Sequence, residues 1–476
     1  MFLRKNKNKK ISFEMDMTSG SILKKLLLFV IPLALSSILQ LLFNAADVVI
    51  IGNAAGDTAL AAVGSTSSLI NLLTNIFIGL SVGTNVLVAR TYASGKATEV
   101  HRAVHTSILL SLICGVILTV IGIIFAPRLL MLMDVPDEVL GPSSLYLRIY
   151  FMGITATLIY NFGGSILRAI GDTKRPLFFL VVAGISNVVL NILFVTIIKY
   201  RNNIGVVSDS EVVSQCVGGV AIATVVSQCI SGFLVIFCLI RESNMVRLSL
   251  RKLRIYKSEL FQIIRIGLPA GFQGTLFSLS NVVIQSSINY YGKIAIAGSV
   301  AASSVEGFVY VTMNSFHHAA ISFTSQNIGA KKYERINRIA YTSIACVAVA
   351  GFVTGFLASF VFSRPLLGLY TDSPAVVDEG IVRLKYVCAF YFLCGIMDVL
   401  VGLLRGLGYS IMPMIVSLVG VCGFRLIWIN VFWKIPQFHV IDTVFISYPI
   451  SWILTALIHF TCFMIVRRRK KAIWGV

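Results

Sequence analysis

Asp47 stands near the end of an apolar run that begins close to Leu26, in the stretch LLFNAADVVIIG. A bare carboxylate at a helix centre in hydrocarbon costs about 2.5–3.5 kcal/mol, so a residue of this kind is kept for what it does. Gln40, Asn44 and Asp47 are spaced four and three apart, which places them within about 60° of arc on one helical face. Asn187 and Asn191, four apart, share a face of a second apolar run. A carboxyl group in apolar surroundings can exist neutral as well as charged. Asp47 is therefore a candidate to load and release a proton and to reorganise amide neighbours as it does so. Glu306 and Asp398 are further acids inside apolar runs, and Arg425 is a base in a third, able to neutralise one of them. Intramembrane acids face a bundle interior or a cavity rather than lipid. An anionic cavity wall suits cationic, lipophilic solutes, with Phe308, Tyr310 and Met313 as adaptable apolar neighbours.

The elements that carry these residues are membrane spans. Of 476 residues, 57% are hydrophobic and 13% charged, and the mean hydropathy is +0.87, whereas soluble domains carry about 25% charged residues. Twelve apolar segments are long enough to cross about 30 Å of hydrocarbon as helix: 26–51, 59–88, 103–126, 144–168, 176–199, 216–240, 260–289, 294–325, 339–362, 383–404, 413–433 and 444–466. The expected fold is all-α and integral to the membrane. The first segment is too long for a signal-peptide core and lacks a small-residue cleavage site after it, so it reads as a retained helix.

The net charge of +20 would fit nucleic acid if it were clustered, but its distribution points elsewhere. Thirty of the 40 Lys and Arg lie in the tails and alternate loops on one side, against nine on the other and Arg425 in span 11. By the positive-inside rule both termini are cytoplasmic, and no nucleic-acid partner is implied. The compact tails suit a bacterial plasma membrane. Nine scattered Cys without a CxxC pair indicate neither a disulfide framework nor a metal site.

Sliding the chain along itself by about 237 residues aligns Ile31–Pro32 with Leu268–Pro269, Asn44 with Asn281, and LRAIGDTKRP (167–176) with LRGLGYSIMP (404–413). MDVP ending at Pro136 meets TDSP ending at Pro374, and Asp398 takes the repeat position of Asn161. Six spans per half make a parallel 6+6 repeat. The expected organisation is a cytoplasmic tail 1–25, a first six-helix bundle 26–240, a solvated basic linker 241–259, a second bundle 260–466 and a tail 467–476. Two bundles enclosing a cavity are the architecture of alternating access. The sequence holds no GxxxxGK[ST], HExxH or GxSxG, so an ion gradient is the expected energy source and enzyme chemistry is not indicated. His317 and His318 project about 100° apart on a helix and make a poor shared ligand site.

The segments QLLFNAADVVIIG, LRAIGDTKRPLFFLVVAGISNVVLNILFV and SFTSQNIGAKKYERINR, in a six-plus-six repeat, together resemble the multidrug and toxic compound extrusion (MATE) family over roughly Ser19 to Arg469. The resemblance implies cation-driven antiport of organic cations, with protons or sodium as coupling ion and no cofactor. It also implies an ion-coupling aspartate on helix 1, here Asp47, and an Asn on helix 5, here Asn187. Many prokaryotic members carry a second Asp where this chain has Asn191, which favours protons here. Another branch carries a Glu on helix 7, where this chain has Gln273. The expected ion-coupling group is Asp47, Asn187 and Asn191; the expected solute-facing group is Gln40, Asn44, Asn161, Gln273, Glu306 and Asp398. A monomer in the bilayer is the expected state. The alternatives are a flippase for lipid-linked precursors, which should line its cavity with bases, and a non-transporting sensor or scaffold, in which Asp47 should be replaceable.

Overall fold

The computed structural model describes residues 13–133, 135–203, 209–243 and 245–474. The tail before residue 13, Asp134 of the MDVP anchor and the last two residues lie outside the described residues. Among the described residues there is no strand. The long helices are α1 (Ile22–Asn53), α2 (Thr58–Ala93), α3 (Ala97–Met131), α4 (Asp137–Ala169), α5 (Lys174–Asn202) and α6 (Glu211–Arg241). They continue as α7 (Lys257–Asn289), α8 (Gly292–Gly329), α9 (Arg335–Val361), α10 (Pro374–Gly406), α11 (Ile411–Phe432) and α12 (Ile441–Ala472). Eleven of these are long and apolar enough to cross a membrane. α7 is as long but more polar, carrying Gln262, Gln273, Asn281 and Gln285. Lys332 donates to the Thr18 carbonyl at 3.0 Å and Arg467 to Asn337 Oδ1 at 2.9 Å, so both ends of the described chain lie on one face, the termini face.

Local chemistry sets the turns. Gly56, at φ 73°, turns α1 into α2 in the left-handed region that glycine enters without steric cost. Gly171 and Gly408, 237 residues apart, hold φ values of 90° and 94° at equivalent corners of the two repeats. After Gly171, the Asp172 carboxylate accepts from the Lys174 and Arg175 amides, both at 3.1 Å, and caps α5. Arg175 pairs with Asp172 and reaches Glu242 at 2.6 Å.

The helices form two bundles, one per repeat, but the bundles exchange the starts of their first helices. Leu26, Phe29, Val30 and Leu33 of α1 belong to the apolar core of the second bundle, where Phe29 meets Phe323 edge-on at 5.9 Å. Reciprocally, Leu260 and Ile263 of α7 pack into the core of the first. The boundaries at 26 and 260 therefore do not separate the cores, because an apolar helix face packs wherever a complementary face meets it.

The linker expected to be solvated is docked, and so is the described part of the amino-terminal tail. In the 241–259 linker, Val246 and Leu248 are buried. Ser249 binds the His105 ring through its amide at 3.0 Å, and the Tyr256 amide donates to Thr106 Oγ1 at 3.1 Å. In the amino-terminal segment, Met17 is fully buried. Met15 donates to the Ile170 carbonyl at 3.2 Å, Met17 N donates to Gln326 Oε1 at 3.2 Å, and Asn327 donates to the Met17 carbonyl at 3.1 Å. Residues 14–20 thus strap both bundles together on the termini face.

The seam between the bundles is made of glycine. Gly79 and Gly83 of α2 face Gly267 and Gly271 of α7 so closely that a Cβ on Gly79 would stand 2.2 Å from the Gly271 nitrogen. A Cβ on Gly83 would stand 2.2 Å from the Ile263 carbonyl oxygen. Small residues at a spacing of four let membrane helices meet backbone to backbone. The seam lies in the halves of α2 and α7 nearer the termini face. Farther from that face lie two cavities, one in each bundle.

Candidate functional site

The first cavity, of about 360 Å³, lies within the first bundle and is lined by Gln40, Asn44, Asp47, Asn161 and Asn187. The 4–3 spacing on α1 puts its three polar side chains on the cavity wall, and Asp47 among them meets α5, whose own pair stands four apart. Asn191 Nδ2 donates to Asp47 Oδ1 at 2.5 Å and lies 3.3 Å from Asn187 Oδ1. Asn187 Nδ2 in turn donates to Thr224 Oγ1 at 3.4 Å on α6. Asn191 is itself fully buried behind the wall. The arrangement is one carboxylate in a net of neutral amides and hydroxyls, with no base lining the cavity. Such a site gains or loses a full charge when a single proton or cation is exchanged.

Thr224 and Gln228, four apart on α6, and Tyr150 and Thr157 on α4 complete this wall. Sequence reasoning passed over them. The signal available was the four-residue spacing of Thr224 and Gln228 on one face of an apolar helix.

The second cavity, of about 380 Å³, lies within the second bundle and is lined by Asp398 and Arg425 among Tyr310, Tyr391, Tyr448 and Trp452. Asn75 and Gly274 also line it, one helical turn beyond the glycine seam. Irregular turns shape its walls. α10 breaks into a tight turn at Cys388–Phe390 before Tyr391. α11 widens to a π turn over Leu418–Gly423, just before Arg425, as helices often do at functional sites. Arg425 forms no ion pair with an acid among the described residues: its guanidinium stacks on Tyr448 at 4.0 Å and Nε donates to Ser451 Oγ at 2.9 Å.

Two expected solute-facing residues are engaged elsewhere. Glu306 on α8 forms a buried, two-pronged ion pair with Arg383, Nε to Oε1 at 2.9 Å and Nη2 to Oε2 at 3.0 Å. Arg383 counts as a helix-end charge in the sequence, but α10 begins at Pro374, nine residues earlier, and carries it into the bundle. Arg383 also donates to Ser299 Oγ at 2.6 Å. Gln273 accepts from Arg405 Nη2 at 2.9 Å, and this arginine is buried in α10 rather than exposed in a loop. Neither Glu306 nor Gln273 lines either cavity. His317 points its Nδ1 at the Asp398 carbonyl, 2.6 Å away.

Comparison with known proteins agrees with this architecture. A family model described as MatE matches residues 32–193 and 269–429, one stretch in each repeat. The chain is 26% identical over 455 residues to the probable multidrug resistance protein YoeA of Bacillus subtilis, covering 95% of each. Its fold is similar to a solved outward-facing multidrug resistance MATE transporter of the MOP superfamily, with a TM-score of 0.84 at 22% identity, over 96% of this chain and 98% of that one. It is also similar in fold to a MOP-superfamily transporter from Pyrococcus furiosus described as having a binding pocket of reversed polarity, with a TM-score of 0.85 at 21% identity, over 95% and 97% of the two chains. Matched in both repeats and over more than half of its length, the chain belongs to the MatE family, that of the multidrug and toxic compound extrusion (MATE) transporters, and is a multi-pass membrane transport protein rather than an enzyme.

Proposed function

We propose that the protein is a secondary antiporter that exports lipophilic organic cations in exchange for protons, with Asp47 as the coupling carboxylate. The observation that carries this reading is the Asp47 carboxylate at the wall of a cavity, held by the Asn191 amide at 2.5 Å. A carboxylate held by a neutral amide in an apolar bundle has two stable forms, charged with a cation near it or neutral with a proton on it. Proton and organic cation compete for one negative charge, so loading one expels the other. Protonation also weakens the charge-assisted bond from Asn191 and frees α1 to shift against α5.

Because the start of α1 is packed into the second bundle, such a shift is felt at the seam between the bundles. One carboxylate among amides supplies less negative charge than two, which favours the proton over sodium. The charge bias of the loops supports a cytoplasmic termini face, with the glycine seam closing that side. Each cavity is completed within one chain, which suits a monomer.

The test is efflux of a fluorescent lipophilic cation from proteoliposomes under an imposed pH gradient, repeated under a sodium gradient, for wild type and Asp47→Asn. Efflux driven by pH and abolished in the variant is expected. Efflux driven by sodium alone overturns the ion assignment. A variant equal to wild type, with neither gradient moving the dye, overturns the reading and makes lipid-linked substrates the next to test.

A further inference from the structure

The linker between the bundles is folded back against the first of them. Its Leu248 amide donates to the Leu239 carbonyl near the end of α6 at 2.9 Å, and its Ser249 amide donates to His105 Nε2 on α3 at 3.0 Å. His105 Nδ1 is thereby left to donate to the His101 carbonyl at 2.7 Å. The linker and the ends of α3 and α6 enclose a groove of about 530 Å³, lined by His101, Ile240, Arg247, Leu250, Arg251 and Lys252 among others.

The groove is basic and its charge is not compensated. No acid among the described residues lines it, and Arg247, Arg251 and Lys252 form no ion pair with any described residue. The acids close to it in sequence are engaged elsewhere: Glu242 pairs with Arg175 at 2.6 Å and Glu99 with Lys96 at 2.8 Å. Two guanidinium forks and an ammonium group around one groove match the oxygens of a phosphate.

An apolar track continues from this groove along the membrane-facing side of α6. Phe233, Phe237 and Ile240 are spaced four and three apart, which puts them within about 60° of arc on one face. Phe233 and Phe237 are 65% and 41% exposed and stack at 5.9 Å. Arg241 is drawn back over the Phe237 ring at 4.2 Å, as long basic side chains are at a membrane interface. In the linker itself Leu250, 57% exposed, opens the tight turn that carries Arg251 and Lys252. A water-soluble anion needs the bases alone. A molecule with phosphate at one end and hydrocarbon at the other uses the track as well.

We infer that this groove is a binding site for an anionic phospholipid, with the headgroup phosphate on Arg247, Arg251 and Lys252 and an acyl chain along Ile240, Phe237 and Phe233. Basic segments beside membrane spans draw anionic lipids, and here the docked linker gives that attraction a fixed place. The lipid fastens the link between the bundles to the bilayer surface at the first bundle. The site stands apart from both cavities and does not depend on which ion drives transport.

The test is native mass spectrometry of the full chain released from nanodiscs of equal parts phosphatidylglycerol and phosphatidylcholine, which counts the lipids retained. Wild type should retain phosphatidylglycerol over phosphatidylcholine by at least about fivefold, the worth of one base beside an anionic lipid. Combined Arg247→Gln, Arg251→Gln and Lys252→Gln should lower that ratio severalfold. Combined Arg468→Gln, Arg469→Gln and Lys471→Gln, which removes the same charge from the carboxy-terminal end, should leave it unchanged. Phe237→Ala, which alters no charge, should also lower it. Inorganic phosphate and glycerol phosphate at millimolar concentration should not displace the lipid. Equal loss in the two triple variants would mean bulk charge without a site and overturns the proposal, as does a wild type without preference. Displacement by either soluble phosphate, or a Phe237→Ala variant equal to wild type, overturns the lipid assignment.

Discussion

Asn191 on α5 donates its side-chain amide to the Asp47 carboxylate on α1 across 2.5 Å, while its own Oδ1 has no hydrogen-bond partner among the described residues. The residue is oriented by the acid it serves. Asp47→Asn should therefore abolish gradient-driven efflux, while Asn191→Ala should keep it at a rate lowered by about tenfold, the effect of removing one hydrogen bond to a charge. Asn191→Asp adds a second negative oxygen donor and should make dye efflux respond to a sodium gradient. Counterflow in proteoliposomes under each gradient checks all three.

The glycine seam should control which face of the molecule is open. A side chain at Gly79 collides with the backbone of α7, at 2.2 Å from Gly271 N. Relieving such an overlap costs about 1–3 kcal/mol, so Gly79→Leu should shift the balance between conformations at least about fivefold toward a seam that has parted. Spin labels on α2 and α7 near the termini face should report a longer distance in this variant. An unchanged distance would mean that α7 yields locally without parting the bundles.

Glu306 should matter for stability and not for solute affinity. Removing one partner of a buried pair leaves the other charge uncompensated, at a cost of about 3–5 kcal/mol. Glu306→Gln should lower the unfolding temperature markedly, and adding Arg383→Met should recover most of the loss. Thermal unfolding in detergent reads both effects. Dye affinity in the double variant should match wild type, because neither residue lines a cavity.

The amino-terminal strap carries a pH signature of its own. Burial acts to raise the Asp16 carboxyl, but hydrogen bonds from Ser19 and Thr18 and the charge of Lys25 outweigh it and bring the group to about 2 from its ordinary 3.8. A depressed carboxyl adds stability above its ordinary value and loses it as pH falls toward the depressed one. The strap should thus hold across pH 5–8 and loosen only between about pH 4 and 2. Asp16→Asn should loosen it at pH 7, read as severalfold faster hydrogen exchange at the Met15 and Met17 amides.

Periodicity made the site on α1 and α5 legible, because the spacings 40–44–47 and 187–191 each name one helical face. The repeat was legible because its turns need the same residues, as Gly171 and Gly408 show with near-identical φ. The partners of the second-half acids were not. Whether Glu306 meets a solute or Arg383 depends on where α10 begins, and hydropathy blurs that boundary by several residues. The docking of 241–259 was hidden because its basic side chains dominate a reading by composition, while burial rests on two apolar residues, Val246 and Leu248. The seam was written as Gly79-x-x-x-Gly83 and Gly267-x-x-x-Gly271, a pattern that states close approach without naming the partner.

The exchange of helix starts has a consequence for how the chain is made. Leu26 and Phe29 leave the ribosome well before Phe323, against which Phe29 packs and which is synthesised almost 300 residues later. The opening turns of α1 must wait in the bilayer, unpaired, through the insertion of six further spans. The first half produced alone should therefore keep an uncovered apolar stripe at its first helix, and two halves produced as separate chains should find each other through it.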